Sequence, residues 1–224
     1  LSNIENVIIN IKNRLNKEKL SCVDLFSGSG IVARMLKEHS NHLYVNDLEK
    51  YSYIVNDCYL TNMSYFNDEK YDFYKERIDN ALKELKEGII TKNYAPKDEN
   101  NITIDDRVFY TRDNAMIIDT IRHEIDSVEE GYKKFFLAPL LYEASVHCNT
   151  SGVFKGFYKS KITKKGKYGG DGENALERIK GKITLRKPIF SPFECSCDIF
   201  QEDSNVLVGN LPESNVIYID PPYN

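Results

Sequence analysis

The sequence predicts an α/β fold, a parallel sheet interrupted by a long and mainly helical insertion. Three observations carry that reading. The apolar run Leu20 to Phe26 reads as a buried strand, breaks at Gly28 and Gly30, and continues as a helix from Ile31 to His39. A second strand, Leu43-Tyr-Val45, follows closely and ends in Asn46-Asp47, and a strand–helix–strand crossover this short makes the two strands parallel. The third observation is the return of the pattern far along the chain, where Val216-Ile-Tyr-Ile219 is strongly β-prone and ends at Asp220.

The remaining elements follow in order. Ile4, Val7, Ile8, Ile11 and Leu15 fall three and four apart, one face of a helix ahead of the first strand. Ser40-Asn41 ends the next helix, and another opens near Leu48. The alternation then stops. Helical periods run through Tyr74, Ile78, Ala81, Leu82 and Leu85, through Ile117, Ile118, Ile121 and Ile125, and through Phe136, Leu140, Leu141 and Ala144 around Pro139. These stripes read as core faces packing on one another, from about Thr61 to Cys148. Frequent glycine between Gly152 and Gly181 suits exposed loops or a hairpin. Cys197 to Phe200 reads as a strand and Val206 to Gly209 as a helical turn. The expected division is 1–62 for the first part of the sheet domain, 63–194 for the insertion and 195–224 for the return.

With 224 residues, 41% of them hydrophobic, the chain can build a packed core. It holds no run of about 18 apolar residues and no signal-peptide pattern, so a membrane span is not expected. Its five cysteines lack the grouped spacing of a zinc site, so no metal is expected and the thiols read as free, in a cytoplasmic protein. Leu1 in place of a start methionine, and an end directly after a strand, read as a piece of a longer protein. The net charge of −4 hides a pattern: Ser151 to Lys187 holds eleven Lys or Arg against three acids. One basic stretch on an acidic protein is either a phosphate-tracking surface or a solvated loop.

The chemistry sits in three motifs. Asp24-Leu-Phe-Ser-Gly28-Ser-Gly30 joins a strand to a helix, where missing side chains let a ligand lie against the backbone at a helix N-terminus. Asp47, at the end of the next strand, is placed to take both hydroxyls of a ribose, or else to cap the following helix. Together these imply an adenosine-containing cofactor, which a nicotinamide enzyme and an S-adenosylmethionine enzyme both use. Asp220-Pro-Pro-Tyr223 decides between them, because it presents a carboxylate, a carbonyl and a ring at the carboxyl edge of the sheet. An exocyclic amine is a poor nucleophile, its lone pair delocalised into the base. Hydrogen bonds accepted by Asp220 and the Pro221 carbonyl would draw that nitrogen toward tetrahedral character, with Tyr223 stacked on the extruded base.

In these motifs, and in their order around a long insertion, the chain resembles the Dam-like group of adenine-specific DNA methyltransferases. The resemblance covers roughly residues 1–62 and 195–224. It implies a Rossmann-like sheet of the S-adenosylmethionine-dependent methyltransferases, incomplete in this chain, with an inserted target-recognition domain. It also implies a site-specific, adenine-directed DNA methyltransferase of a restriction-modification system. By position, Asp24, Phe26, Gly28 and Gly30 would line the cofactor and Asp47 would hold its ribose. Asp203, or Glu202 in its place, would meet the cofactor's adenine. Asp220, Pro221, Pro222 and Tyr223 would handle the target base. Lys155, Lys159, Lys161, Lys164, Lys165 and Lys167 are the phosphate-contact candidates, interleaved with Val153, Phe154, Phe157 and Tyr158, most of which are expected to pack in a core. The implied partner of this monomer is double-stranded DNA with the target adenine flipped out, and a cognate restriction endonuclease is left open as a companion.

The chain departs from the family in two respects: no Gly-x-Lys element precedes the first helix, and the strands that usually follow the tetrapeptide are not in this sequence, so slow or absent turnover is expected of it. Rival readings remain open. An RNA-base enzyme usually places the tetrapeptide nearer the glycine loop. Cytosine amino-methylation uses the same hydrogen bonds. A nicotinamide oxidoreductase gives Asp220 to Tyr223 no role, and a DNA-binding remnant of the fold need not bind the cofactor.

Overall fold

The computed structural model describes residues 1–150, 156–170, 172 and 175–222. The chain divides into two compact units, one built from 1–67 with 188–224 and the other from 68–187. Residues 63–67 and 188–194, expected in the insertion, belong to the first unit. Ser64 N–H donates to Glu194 Oε1 (2.9 Å), Asn62 Nδ2 to the Cys195 carbonyl (3.0 Å), and the Phe66 and Phe190 rings lie 4.8 Å apart.

The first unit is a four-stranded, all-parallel sheet. Helix α1 (Ser2–Leu15) leads into β1 (Leu20–Asp24), α2 (Ile31–His39), β2 (Ser40–Asn46) and α3 (Lys50–Tyr59). After the second unit come β3 (Ser196–Phe200), and then, past a short helical turn, β4 (Val216–Tyr218). The strand order is β3-β2-β1-β4, in register through Leu43↔Cys197, Cys22↔Leu43 and Cys22↔Val216. A central parallel strand is covered on both faces, and β1 and β2 accordingly bury most of their side chains. On one face Leu20, Cys22, Leu43 and Val45 pack with Ile8, Ala33 and Leu36 of α1 and α2; on the other, Val23 and Leu25 pack with Leu207.

Local chemistry shifts several boundaries from the sequence reading. Helix α2 ends at His39, as expected, but β2 begins at Ser40 rather than Leu43: Ser40 Oγ donates to the Leu36 carbonyl (2.7 Å), so the first residue of β2 also caps α2. The first strand ends at Asp24 rather than Phe26, where the glycine loop takes over. Of the stripe expected on α1, Ile8 is buried while Val7 and Leu15 are exposed, because this peripheral helix meets the core along a narrow strip. Lys37 is fully buried, its ammonium donating to the carbonyls of Leu60 (2.9 Å) and Thr61 (3.1 Å) at the end of α3. That burial pushes its pKa down.

The second unit is mainly helical, with α4 (Asp68–Ala81), α5 (Ile89–Tyr94), α6 (Arg112–Ile125) and α7 (Glu130–Val146) followed by the short α8 (Leu176–Lys180). Ile117, Ile118, Ile121 and Ile125 are all buried, and Tyr71 stacks on Phe136 at 4.7 Å. Leu82 and Leu85 lie beyond the end of α4 and are half-buried. The Asp119 carboxylate accepts the amides of Gly88, Ile90 and Thr91 (2.8–3.0 Å), satisfying the otherwise bare first turn of α5. Among the described residues no helix is long and apolar enough to cross a membrane.

Candidate active site

In the first unit the carboxyl ends of the parallel strands carry the sequence-selected residues, on the edge where open α/β sheets bind ligands. The β1–α2 loop holds Gly28 and Gly30, both left-handed (φ 51° and 77°). A Cβ on Gly28 would stand in open space, so the loop leaves a cradle there. A Cβ on Gly30 would overlap the side-chain oxygen of Asn56. Gly30→Ala is therefore expected to lower stability by about 2–3 kcal/mol, combining left-handed strain with the clash. Urea unfolding checks this, and an unchanged midpoint would refute the packing described.

Asp24 closes β1 fully buried, and neither carboxylate oxygen has a hydrogen-bond partner. Desolvation pushes its pKa up to about 7, opposed by the nearby amides of Ala33 and Phe26 and reinforced by the negative charges of Asp47 and Asp220. Three carboxylates, from the ends of β1, β2 and β4, thus converge on one corner. A corner of that sign, with one buried member titrating near 7, favours a cationic ligand.

Asp47 is ordered by the loop it faces. One oxygen accepts the Gly28 amide (2.7 Å) and the other the Glu49 amide (2.9 Å). It turns the chain toward α3 without capping it; the helix begins after Glu49, which makes no side-chain cap. Phe26 is half-buried against the β1–β2 face. Asp203 is exposed and caps the turn Ser204–Leu207, accepting the Asn205 amide (2.8 Å). Asp220 is exposed two residues past β4 and accepts the Tyr218 hydroxyl (3.2 Å), while the Tyr218 carbonyl takes the Leu25 amide (3.1 Å). Pro221 and Pro222 follow, exposed; Tyr223 lies outside the described residues.

Three residues that order this edge were given no role by the sequence reading. Asn46, buried at the end of β2, donates to the carbonyls of Leu25 (3.2 Å) and Glu202 (3.1 Å) and accepts the Glu202 amide (3.0 Å). It stitches together the ends of β1, β2 and β3. Ser52 and Asn56 sit one turn apart on α3: Ser52 Oγ donates to the Gly28 carbonyl (2.5 Å) and Asn56 Nδ2 to Ser27 Oγ (2.9 Å). The available signal was two small polar side chains, four apart, on a helix face that should be apolar.

Residues 5–224 match the model of the D12 class N6 adenine-specific DNA methyltransferases. The chain belongs to that family. Its relatives include the type II methyltransferase M.NlaIII of Neisseria lactamica, 29% identical over all of this chain and 62% of the relative. M.CviAII of Paramecium bursaria Chlorella virus 1 is 28% identical over 96% of this chain and 59% of its own, and M.FokI of Planomicrobium okeanokoites 28% identical over the whole chain and 33% of its own. The chain thus spans about six tenths of the length of the first two relatives. No solved structure matches it. Membership of the D12 class gives the acidic corner a methyl-transfer context and brings in S-adenosylmethionine as the general methyl donor of such enzymes.

The basic stretch lies in the second unit. Lys159, Lys161, Lys164 and Lys165 are exposed on a hairpin closed by the Lys159↔Gly166 bridge, and Lys167 is half-buried on its returning strand. Phe157 packs edge-on against Phe109 (5.1 Å), a core role. Lys155, Val153 and Phe154 lie outside the described residues.

Proposed function

We propose that this chain carries the catalytic site of an S-adenosylmethionine-dependent methyltransferase acting on the N6 amine of adenine in double-stranded DNA. The convergence of Asp24, Asp47 and Asp220 on the glycine loop is the observation that carries the proposal, since a net cationic cofactor suits that corner. Bound S-adenosylmethionine supplies an electrophilic methyl group on its sulfonium.

The residues divide the work. Gly28 keeps the loop clear for the ligand, Gly30 shapes the loop by turning it tightly against Asn56, and Phe26 supplies apolar surface beside it. Asp24 ionises to balance cofactor charge. Asp47, its carboxylate already oriented by two amides, accepts from the ribose hydroxyls through its remaining lone pairs. Asp203 accepts from the cofactor's adenine amine. Asp220 and the Pro221 carbonyl accept the two N–H bonds of the target amine and turn its lone pair toward the methyl group. As the nitrogen takes the methyl it becomes acidic, and its proton passes to Asp220 and on to solvent, which reaches this exposed side chain. Pro222 fixes the turn and Tyr223 stacks on the flipped base.

The second unit serves as the target-recognition domain, with Lys155, Lys159, Lys161, Lys164, Lys165 and Lys167 on phosphates. The same reading puts the protein in the cytoplasm as a monomer and leaves a cognate endonuclease open as a companion. Incubation of the full-length protein with unmethylated DNA and cofactor, followed by digestion and mass spectrometry of the nucleosides, tests the reading. N6-methyladenine is expected. Methylcytosine would refute the base assignment, and the absence of any methylated nucleoside would refute the reaction.

A further inference from the structure

We propose that Ile162 is a wedge that enters the base stack of bound duplex DNA. The proposal rests on the DNA-modifying reading above. Ile162 sits in the four-residue loop Lys161-Ile-Thr-Lys164 at the tip of the basic hairpin. The loop is ordered: the Ser160 amide donates to the Lys165 carbonyl (2.8 Å), the Lys164 amide to the Ser160 carbonyl (3.0 Å) and the Thr163 amide to Ser160 Oγ (3.2 Å). Lys164 turns the chain in the left-handed region, at φ 59°.

The base of the hairpin is anchored. Fully buried Asn149 donates to the carbonyls of Val108 (2.6 Å) and Lys167 (2.8 Å) and accepts the Gly169 amide (3.0 Å). Below the tip, Phe157 packs on Phe109 and the Tyr168 hydroxyl donates to the Tyr110 carbonyl (3.3 Å).

Ile162 is 92% exposed, more than any other large apolar side chain among the described residues. Scattered apolar residues on a surface need no explanation. This one is different in its setting, a single branched side chain in the apical loop of an anchored finger, flanked along the chain by the exposed Lys159, Lys161, Lys164 and Lys165. Cations around one apolar point match a duplex, whose phosphates lie outside and whose apolar surface lies between stacked pairs. A lipid surface needs a broader apolar face than one isoleucine. Unstacking costs free energy, and a side chain that fills the opened step offsets it.

The test uses the full-length protein as wild type, Ile162→Ala and Ile162→Leu. Sequencing of DNA methylated by the wild type locates a target adenine, and 25-bp duplexes are built around it, one fully paired and one with an abasic site opposite the target. The alanine variant is expected to bind the paired duplex within about threefold of wild type, since the lysines remain. Its single-turnover methylation rate should fall about 10- to 100-fold on that duplex. The deficit should largely close on the abasic duplex, where the stack is already open, and Ile162→Leu should retain most of the rate. Equal rates for alanine variant and wild type on the paired duplex would overturn the wedge, and so would an equal deficit on both duplexes, which marks a structural defect. A wild type that leaves no methyladenine would overturn the underlying reading instead.

Discussion

Asp220→Ala is expected to lower the methylation rate by at least about 10²–10³-fold, because in the proposed mechanism it removes the acceptor at which the target nitrogen changes character. Asp220→Asn keeps one acceptor oxygen and should fall between the two, with a loss of about 10- to 100-fold. Neither change should move the thermal midpoint much, since Asp220 is exposed and its described hydrogen bond is to the neighbouring Tyr218 hydroxyl. Single-turnover kinetics on a methylatable duplex measures the effect. A rate for Asp220→Ala within a few-fold of wild type would remove this residue from the chemistry.

Asp24 gives the second large effect, and its sign is opposite for stability and for binding. Its folded pKa, about 7, stands above the ordinary aspartate value of about 4, so the folded chain holds the proton more tightly than the unfolded one. The resulting stability is complete below pH about 4 and is lost as pH rises through about 7, a difference on the order of 4 kcal/mol. Asp24→Asn removes the buried charge and should make the cofactor-free protein about 2–4 kcal/mol more stable at pH 8, less whatever the unsatisfied amide costs. The same variant should bind S-adenosylmethionine about 10- to 100-fold more weakly at pH 8. In the wild type, affinity should rise with pH up to and slightly past 7, with proton release, and this dependence should be absent from the variant. Urea unfolding and calorimetry in buffers of differing ionisation heat measure both halves. A less stable Asp24→Asn chain with unchanged cofactor affinity would contradict the account.

Much of this was legible in the sequence because it rests on local patterns. The β1–α2 loop declares itself through Gly28 and Gly30, since the backbone there needs what other residues resist. The stripe Ile117, Ile118, Ile121 and Ile125 has one helical period and one burial. What stayed hidden depends on residues far apart in the chain. Asn46 looks like a polar strand end until β3, from beyond the insertion, brings Glu202 against it. Ser52 and Asn56 read as ordinary helix residues until α3 folds back over the glycine loop. The raised pKa of Asp24 comes first from its burial, with Asp47 and Asp220 adding to it, and no spacing in the sequence announces that burial. Ser40 marks the end of α2 as its position in the sequence suggested, while its second part, as the first residue of β2, shows only once the strand pairs.

The central claim is a division of labour at one sheet edge, with Asp47 holding the cofactor and Asp220 the target base. Calorimetric titration of S-adenosylmethionine into the wild type, Asp47→Ala and Asp220→Ala, without DNA, tests it most directly. The account predicts that Asp47→Ala loses about 100-fold or more in affinity, through the lost ribose contacts and the released Gly28 amide. Asp220→Ala should bind the cofactor within a few-fold of wild type. Wild-type affinity in Asp47→Ala, or an equal loss in both variants, would contradict it.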